Sequence, residues 1–448
     1  MTLPAMFLNR YQQLMAPAEF TAFKQSLTQP ATHGFRINPL KASLSQLQES
    51  VAQPVPGIAN GYYGQIQGQS IDHLAGWIYS QDPSAMNVAQ LAAPQAHERV
   101  LDLCAAPGGK TTQLAALMND QGLLVANEIN HQRALVLSSN VERWGLTHTV
   151  VTNNSPEQLA QALPEFFDCI VVDAPCSGEG LFRKDPSASD YWSVANIQFC
   201  AQRQKKILTA ALTMLRPGGR LIYSTCTFAP EEDEQNLSWL LDQPQIQLLP
   251  LPALSKMDRG RPAWAQERMA VQGALRLFPH HYRGEGHFIA AVSKQGTAPS
   301  TRPAGKSLKR LSADQQQLWQ QFQTTTLTGV SFKQLQPQAE VLWAPAGIFP
   351  QSQLKIIRNG LRLGQFKKKR FEPDHALVMA LSPTQFQQQF DLTAEQFAHF
   401  VHGEALILKN KAYAPGWVAV SYQQKIFAWG KVVQGQLKNF LPKGLRIQ

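Results

Sequence analysis

Arg99-Val100-Leu101-Asp102-Leu103, followed by Cys104-Ala105-Ala106-Pro107-Gly108-Gly109-Lys110 and a helical pattern from Thr111 to Met118, is the stretch on which the fold turns. A short apolar run, a Pro-Gly-Gly turn and a helix make the opening βα unit of an open sheet. The same grammar repeats downstream. Leu123 to Asn127 reads as a strand, Asn130 to Trp144 as a helix, Thr149 to Val151 as a third strand and Asp168 to Val172 as a fourth. A long helix over Ile197 to Leu215 stops at Pro217-Gly218-Gly219, and Leu221 to Ser224 is a fifth strand. Such alternation predicts a doubly wound, mostly parallel α/β sheet, with ligands and chemistry at the carboxyl ends of its strands.

The 104–110 loop is built for a ligand. Adjacent glycines let a small molecule approach the backbone, and the following helix offers free amide donors. It is neither a Walker A loop, whose first glycine would fall on Cys104, nor a GxGxxG turn. Glu128 lies about 19 residues past Gly109, where an acid suits ribose hydroxyls in dinucleotide sites. A nucleoside cofactor is one reading of this spacing; a plain tight turn with a surface glutamate is the other.

Two cysteines sit at later strand ends. Cys176 lies in Asp173-Ala174-Pro175-Cys176-Ser177-Gly178, and Cys226 in Ser224-Thr225-Cys226-Thr227. A thiolate at such a place can attack an electron-poor ring carbon, and a second thiol can serve as its acid–base partner. The bland alternative for Cys176 is a buried structural thiol, but its Pro and Gly neighbours favour a loop. Asp173 is placed to bind cofactor or to hydrogen-bond a base edge. Arg183 and Lys184 are expected to contact phosphates. Glu231 to Glu234 are read as first-turn acids favoured by a helix dipole. Cys169 and Cys200 take a structural reading, as does Cys104, which at most lines the loop.

The chain has 448 residues and a net charge of +10, unevenly spread. Up to residue 295 there are about 22 Lys and Arg against about 24 Asp and Glu, and afterwards about 19 against about 7. The whole basic excess therefore lies in the last third, as expected for a nucleic-acid-binding module on a near-neutral enzyme or, equally, for a solubilising basic surface. Lys367-Lys368-Lys369-Arg370 is its densest cluster, with Trp417, Tyr422 and Trp429 available for stacking or for the core of a small β domain. Ser293 to Lys309 is polar with scattered Pro and Gly and reads as a linker. No apolar run is long enough to span a membrane, and the N-terminus lacks the pattern of a signal peptide. Five cysteines without CxxC spacing argue against a disulfide framework and a zinc site. A cytoplasmic protein without metal is expected.

Cys-Ala-Ala-Pro-Gly-Gly-Lys, Asp-Ala-Pro-Cys-Ser-Gly and Ser-Thr-Cys-Thr, in this order, resemble the Nol/Nop/Sun family of S-adenosylmethionine-dependent RNA cytosine-5 methyltransferases. Gln81-Asp82-Pro83-Ser84-Ala85-Met86, Gly178 to Asp185, Arg283-Gly284-Glu285-Gly286-His287-Phe288 and the tail Leu441 to Arg446 narrow the resemblance to the RsmF branch, of the type found in Gram-positive bacteria. The resemblance implies a Rossmann-like class I methyltransferase domain, flanked by an N-terminal α+β extension and a C-terminal, β-rich, PUA-like RNA-binding region. The expected divisions are 1–88 for the extension, 89–295 for the catalytic domain, 296–310 for a linker, 311–380 for a middle α+β region and 381–448 for the PUA-like domain. The implied substrate is cytidine in the decoding region of 16S rRNA, free or in the small ribosomal subunit, and the implied state is a monomer.

Carried over by motif, Cys226 would be the nucleophile on cytosine C6 and Cys176 the cysteine that assists release of the adduct. Asp173 would join them in catalysis. Cys104, Ala105, Ala106, Pro107, Gly108, Gly109, Lys110, Glu128 and Asp173 would line the cofactor site, with Asn154 standing where the family often has an acid near the adenine. Cytosine C5 is too weak a nucleophile to take a methyl group directly, and thiolate addition at C6 makes it enamine-like. A base must then remove the C5 proton before the thiolate can leave. The target base must be single-stranded or flipped out. DNA cytosine-5 methyltransferases use the Pro-Cys cysteine itself as nucleophile, and the second cysteine disfavours them. Methylation of another RNA such as tRNA, and a non-catalytic ribosome-assembly factor on this scaffold, are the alternatives.

Overall fold

The computed structural model describes residues 3–42, 44–47, 53–297, 310–347, 349, 354–408 and 413–447. Its centre is a ten-stranded sheet. Numbering from the first strand of that sheet, the parallel core consists of β1 (Arg99–Asp102), β2 (Leu123–Asn127), β3 (Thr149–Thr152), β4 (Phe167–Asp173) and β5 (Leu215–Thr225). The intervening helices are α1 (Gly109–Leu117), α2 (His131–Trp144), α3 (Pro156–Ala162) and α4 (Val194–Met214). The strands lie in the order β5-β4-β1-β2-β3, and all four pairings are parallel. Strand order reverses between β1 and β4, so a crevice opens at their carboxyl ends.

Local chemistry explains the helix limits. Asn130 caps α2 by accepting the Arg133 N–H at 3.1 Å, and Gly145, at φ +79°, ends it. Ser155 and Gln158 form a capping box at α3. Two apolar layers cover the sheet. One face packs Leu101, Ile170, Leu208 and Tyr223, and the other Val100, Leu124, Trp144 and Ile222. Burying each such large apolar side chain contributes about 1.5–3 kcal/mol.

The edges depart from the sequence reading. β5 begins at Leu215 and runs through Pro217-Gly218-Gly219 rather than after it, with an irregular register against β4. After α5 (Glu234–Leu241), the short strands β6 (Ile246–Leu249), β7 (Asp258–Arg259), β8 (Leu275–Leu277) and β9 (His287–Lys294) extend this edge through antiparallel pairings. β9 takes in Ser293 and Lys294, which composition had assigned to the linker; residues 298–309 of that linker lie outside the described residues. At the opposite edge β10 (Ile356–Asn359) pairs antiparallel with β3. A segment of the middle region thus completes the catalytic sheet, protecting an edge that would otherwise expose unpaired backbone groups.

The extension forms helices at Ala5–Leu14 and Pro17–Ser26 and a three-stranded sheet of Gly34–Ile37, Gly61–Tyr63 and Ile78–Ser80. Phe7, Tyr11 and Phe23 pack on Phe182, Trp192, Phe228 and Phe278 of the catalytic domain. The middle region holds a four-stranded sheet and the C-terminal region a five-stranded one. Buried Lys425 of the latter pairs with buried Asp72 of the extension and lies 4.9 Å over the Trp77 ring. Among the described residues, no helix is long and apolar enough to cross a membrane.

Candidate active site and cofactor cleft

Parallel pairing of β4 with β5 sets Asp173 opposite Ser224. The two cysteines follow three and two residues later, and the strand ends carry them together: Cys176 Sγ lies 3.3 Å from Cys226 Sγ. The Cys176 loop is pinned on several sides. Ala174 N–H donates to Ser224 O at 2.8 Å and Gln204 Nε2 to Pro175 O at 3.1 Å. Gly180 N–H donates to Cys226 O at 2.9 Å, and a Cβ on Gly180 would stand 2.9 Å from that same oxygen, so only glycine fits. The hydrogen bond to Cys226, and then burial, push the Cys176 thiol well above its usual range.

The acidic run has a different role from the one its composition suggested. Glu232, Asp233 and Glu234 are fully buried, and α5 starts only at Glu234. Glu232 accepts from Ser177 N–H at 3.0 Å, from the Ser177 hydroxyl and from Gln204 Nε2 at 2.7 Å. Burial lifts its carboxyl to about 7 against those bonds. Asp233 accepts from Thr225 Oγ1 at 2.5 Å, and both Asp233 and Glu234 pair with buried Arg276. Glu179 accepts from Tyr11, Trp192, Thr227 and the Phe228 N–H. These acids brace the two cysteine loops from behind. Their signal was the density of acids around the motifs, but a surface helix end and a buried buttress look alike in sequence.

Asp173 faces the crevice. Lys110 Nζ stands 2.5 Å from its Oδ2, Ser224 Oγ donates to Oδ1 at 2.7 Å, and His287 Nε2 lies 3.7 Å from Oδ1. Burial alone would raise this carboxyl, but Lys110 and His287 outweigh it and hold it far below its usual range. Lys110 responds in kind: burial lowers it, and Asp173 raises it further, so it stays charged beside Cys226. Neither the Lys110–Asp173 pair nor His287 was foreseen as a unit, because sixty-three and more residues separate its members. Asp102, at the end of β1, was also missed. It is fully buried, accepts from Thr111 Oγ1 at 2.7 Å, and burial raises it to about 7.

A cleft of about 160 Å³ runs beside this centre, lined by Tyr79, Ser80, Gln81, Ala85, Cys104, Ala105, Ala106, Pro107, Gly109, Lys110 and Asp173. Gly108 is set back as the N-cap of α1 at φ +114°. Cys104 is held neutral, burial pushing its thiol far up. Glu128 follows the end of β2 and is not among the lining residues; its carboxylate is held by the Asn130 N–H at 2.9 Å and faces Arg133 at 3.4 Å. Small side chains, the open amides of a helix N-terminus and an acid just past the next strand fit a nucleoside that carries an amino acid.

Two expected site residues are placed elsewhere. Asn154 does not face the cleft: its Oδ1 accepts the Lys355 N–H at 3.0 Å and its Nδ2 donates to Lys355 O at 3.1 Å, so its amide anchors β10. Arg183 is not a surface cation. Its side chain is 6 % exposed, pairs with Glu285 at 2.9 Å and donates to Gly284 O at 2.6 Å. Lys184 is exposed. Lys367 ends one strand of a hairpin (Leu361–Lys367, Arg370–Pro373), with Lys368 and Lys369 exposed at its tip. Lys367 donates to Gln365, and Arg370 pairs with Glu372 at 3.3 Å. Trp417 and Trp429 are buried, and Tyr422 stacks on Phe397 at 4.3 Å, so these rings serve packing. Cys169 and Cys200 are buried, as their structural reading required. Among the described residues, no cluster of three or more His, Cys, Asp or Glu could hold a metal ion.

With this geometry in place, similarity to known proteins is informative over the whole chain. Residues 89–293 match the family described as 16S rRNA methyltransferase RsmB/F. Residues 3–83 match the N-terminal domain of 16S rRNA methyltransferase RsmF, 321–381 the first C-terminal domain of the RsmF rRNA methyltransferase, and 387–447 the methyltransferase RsmF PUA domain. Ribosomal RNA small subunit methyltransferase F of Vibrio cholerae is 31 % identical over 468 residues, covering 99 % of this chain and 98 % of that protein. The protein of the same name from Serratia proteamaculans is 32 % identical over 478 residues, covering 99 % and 96 %. A crystal structure of a methyltransferase homolog from Pyrococcus horikoshii shares 30 % identity at a TM-score of 0.56, over 64 % of this chain and 94 % of that one. The two bacterial relatives are Gram-negative, so they lend no support to a Gram-positive type within the branch. With relatives above 30 % identity across nearly all of both chains, and four consecutive matches of which three are described for RsmF itself, the chain belongs to the 16S rRNA methyltransferase RsmB/F family, on its RsmF branch.

Proposed function

We propose that this methyltransferase modifies C5 of cytidine in 16S rRNA, using S-adenosylmethionine and a covalent bond from Cys226 to C6. The observation that carries the chemistry is the 3.3 Å approach of Cys226 to Cys176 at the ends of adjacent parallel strands, beside the cleft. Cys226 adds to C6, and the electrons of the C5–C6 double bond make C5 nucleophilic. Cys176 stands 3.3 Å from the sulfur that must later leave and is the candidate to take the C5 proton whose loss releases it. Asp173, kept as a carboxylate by Lys110, can accept a hydrogen bond from the base. S-adenosylmethionine, when bound, supplies the electrophilic methyl group. Cys104 to Lys110, apart from the set-back Gly108, would hold it together with Glu128 and Asp173. The direct test of the substrate is bisulfite mapping of 16S rRNA from a strain lacking the protein. A 5-methylcytidine in 16S rRNA should vanish and return on complementation; loss of a mark in tRNA alone would point to another RNA.

The loop and Glu128 should set cofactor affinity. A Cβ at Gly109 would already lie 3.3 Å from Gln81 and 3.4 Å from Tyr79, so Gly109→Val should crowd the cleft wall and weaken binding. Glu128→Ala removes a charge-assisted hydrogen bond to ribose, worth about 1.5–3 kcal/mol. Calorimetry with S-adenosylhomocysteine measures both, and unchanged affinity in both variants would place the cofactor elsewhere.

The Lys367–Arg370 hairpin tip is proposed to meet rRNA phosphates. Replacing all four residues by alanine should weaken rRNA binding and flatten its salt dependence by about 0.7 in log–log slope for each cation that meets a single-stranded phosphate. Cofactor affinity should not change. A variant with the parent's salt slope would show a merely solvated hairpin.

A further inference from the structure

Arg36 belongs to the N-terminal extension, yet its side chain ends in the cofactor loop. It lies on strand Gly34–Ile37 and is 2 % exposed. Its Nη2 donates to Gly109 O at 2.6 Å and to Thr112 Oγ1 at 2.7 Å, and its Nε donates to Gln81 Oε1 at 2.5 Å. The guanidinium lies 5.5 Å over the Tyr79 ring and 5.4 Å over that of Trp144. No carboxylate is among these partners. A buried charge satisfied only by neutral acceptors is costly to keep, and here all of its acceptors sit on or beside the cleft.

The bond to Gln81 has a consequence. A guanidinium carries donors only, so it must meet the amide through oxygen. That choice turns Nε2, with its two N–H groups, toward the loop, 3.3 Å from the Cβ position of Gly109. Gln81 lines the cleft. This end therefore offers amide donors, from Gln81 and from the start of α1, while Glu128, just past β2, offers an acceptor. Donors suit a carboxylate, and an acceptor suits hydroxyls.

We propose that Arg36 is a positioning residue of the cofactor site: it orients Gln81 and steadies the Gly108-Gly109 loop so that Gln81 Nε2 donates to the carboxylate on the amino-acid part of the methyl donor. The proposal rests on the S-adenosylmethionine reading above. It makes the N-terminal extension a part of the cofactor site as well as a packing partner.

The test is calorimetry on the full chain with two probes. S-adenosylhomocysteine carries the amino-acid carboxylate, and 5′-methylthioadenosine keeps the nucleoside thioether without it. Gln81→Glu and Arg36→Met should weaken S-adenosylhomocysteine by roughly tenfold or more while shifting 5′-methylthioadenosine by less than about twofold. Arg36→Lys should fall between. Asn38→Ala is the control. Asn38 is on the same layer of the extension and its Nδ2 donates to Gly76 O at 3.0 Å and Trp144 O at 2.9 Å, so its loss loosens the same domain contact without touching the loop. It should leave the ratio of the two affinities at the parent value. Parent-like ratios in both Gln81→Glu and Arg36→Met would overturn the proposal, as would an equal shift in Asn38→Ala. If Arg36→Met does not fold, the isosteric Gln81→Glu decides alone. A parent protein that binds neither probe would instead reject the cofactor reading itself.

Discussion

Cys226→Ala is expected to lower methyl transfer by about 10⁴-fold or more, the scale on which losing a covalent nucleophile acts. Nothing else within reach replaces it. Cys176 is the nearest thiol, but with Cys226 gone burial and the Glu232 carboxylate still raise it and disfavour its thiolate. The variant should still fold, since trimming one partly exposed thiol costs about 1 kcal/mol or less. S-adenosylhomocysteine binding should also survive, because Cys226 is not among the residues lining the cleft. Tritiated-methyl transfer to 16S rRNA, together with calorimetry, measures both. Full turnover by Cys226→Ala would remove the nucleophile assignment.

Cys176→Ala should fail at a later step. Addition through Cys226 needs no second thiol, but release of the methylated base needs help with its protons. If that help comes from Cys176, the methylated adduct accumulates. A protein–RNA complex should then survive on a denaturing gel, and it should disappear in the Cys176→Ala, Cys226→Ala double variant. The two single losses should not add, because the residues act in one sequence of steps. Normal turnover by Cys176→Ala with no trapped complex would falsify the division of roles between the two cysteines.

Much of this architecture is legible in the chain. The βα rhythm from Arg99 to Ser224 follows from short β-branched runs and Pro-Gly punctuation, and these act locally. The positions of Cys176 and Cys226 at strand ends follow from the same rhythm, because each directly follows a short apolar, β-branched run. The glycine loop likewise announces itself, since few residues besides glycine permit φ +114° at an N-cap. Charge also reports correctly on its own distribution along the chain, although not on which cations face solvent.

What the linear order could not supply is who meets whom across the fold. Arg183 and Lys184 are neighbours in sequence, yet one is buried on Glu285 and the other is exposed. Only the return of residues 283–286 beside the Cys176 loop decides that. Asn154 has the right position for a cofactor contact, but β10, two hundred residues later, claims its amide. The acids from Glu232 to Glu234 would serve equally well on a helix end; packing against Arg276, Ser177 and Gln204 buries them instead. Local sequence determined the strands, the turns and the two thiols of this protein. The tertiary structure decided the 3.3 Å between those thiols, the Lys110–Asp173 pair and the reach of Arg36 into the loop, because a charge or a thiol acquires its chemistry from neighbours that only chain crossing brings within a few ångströms.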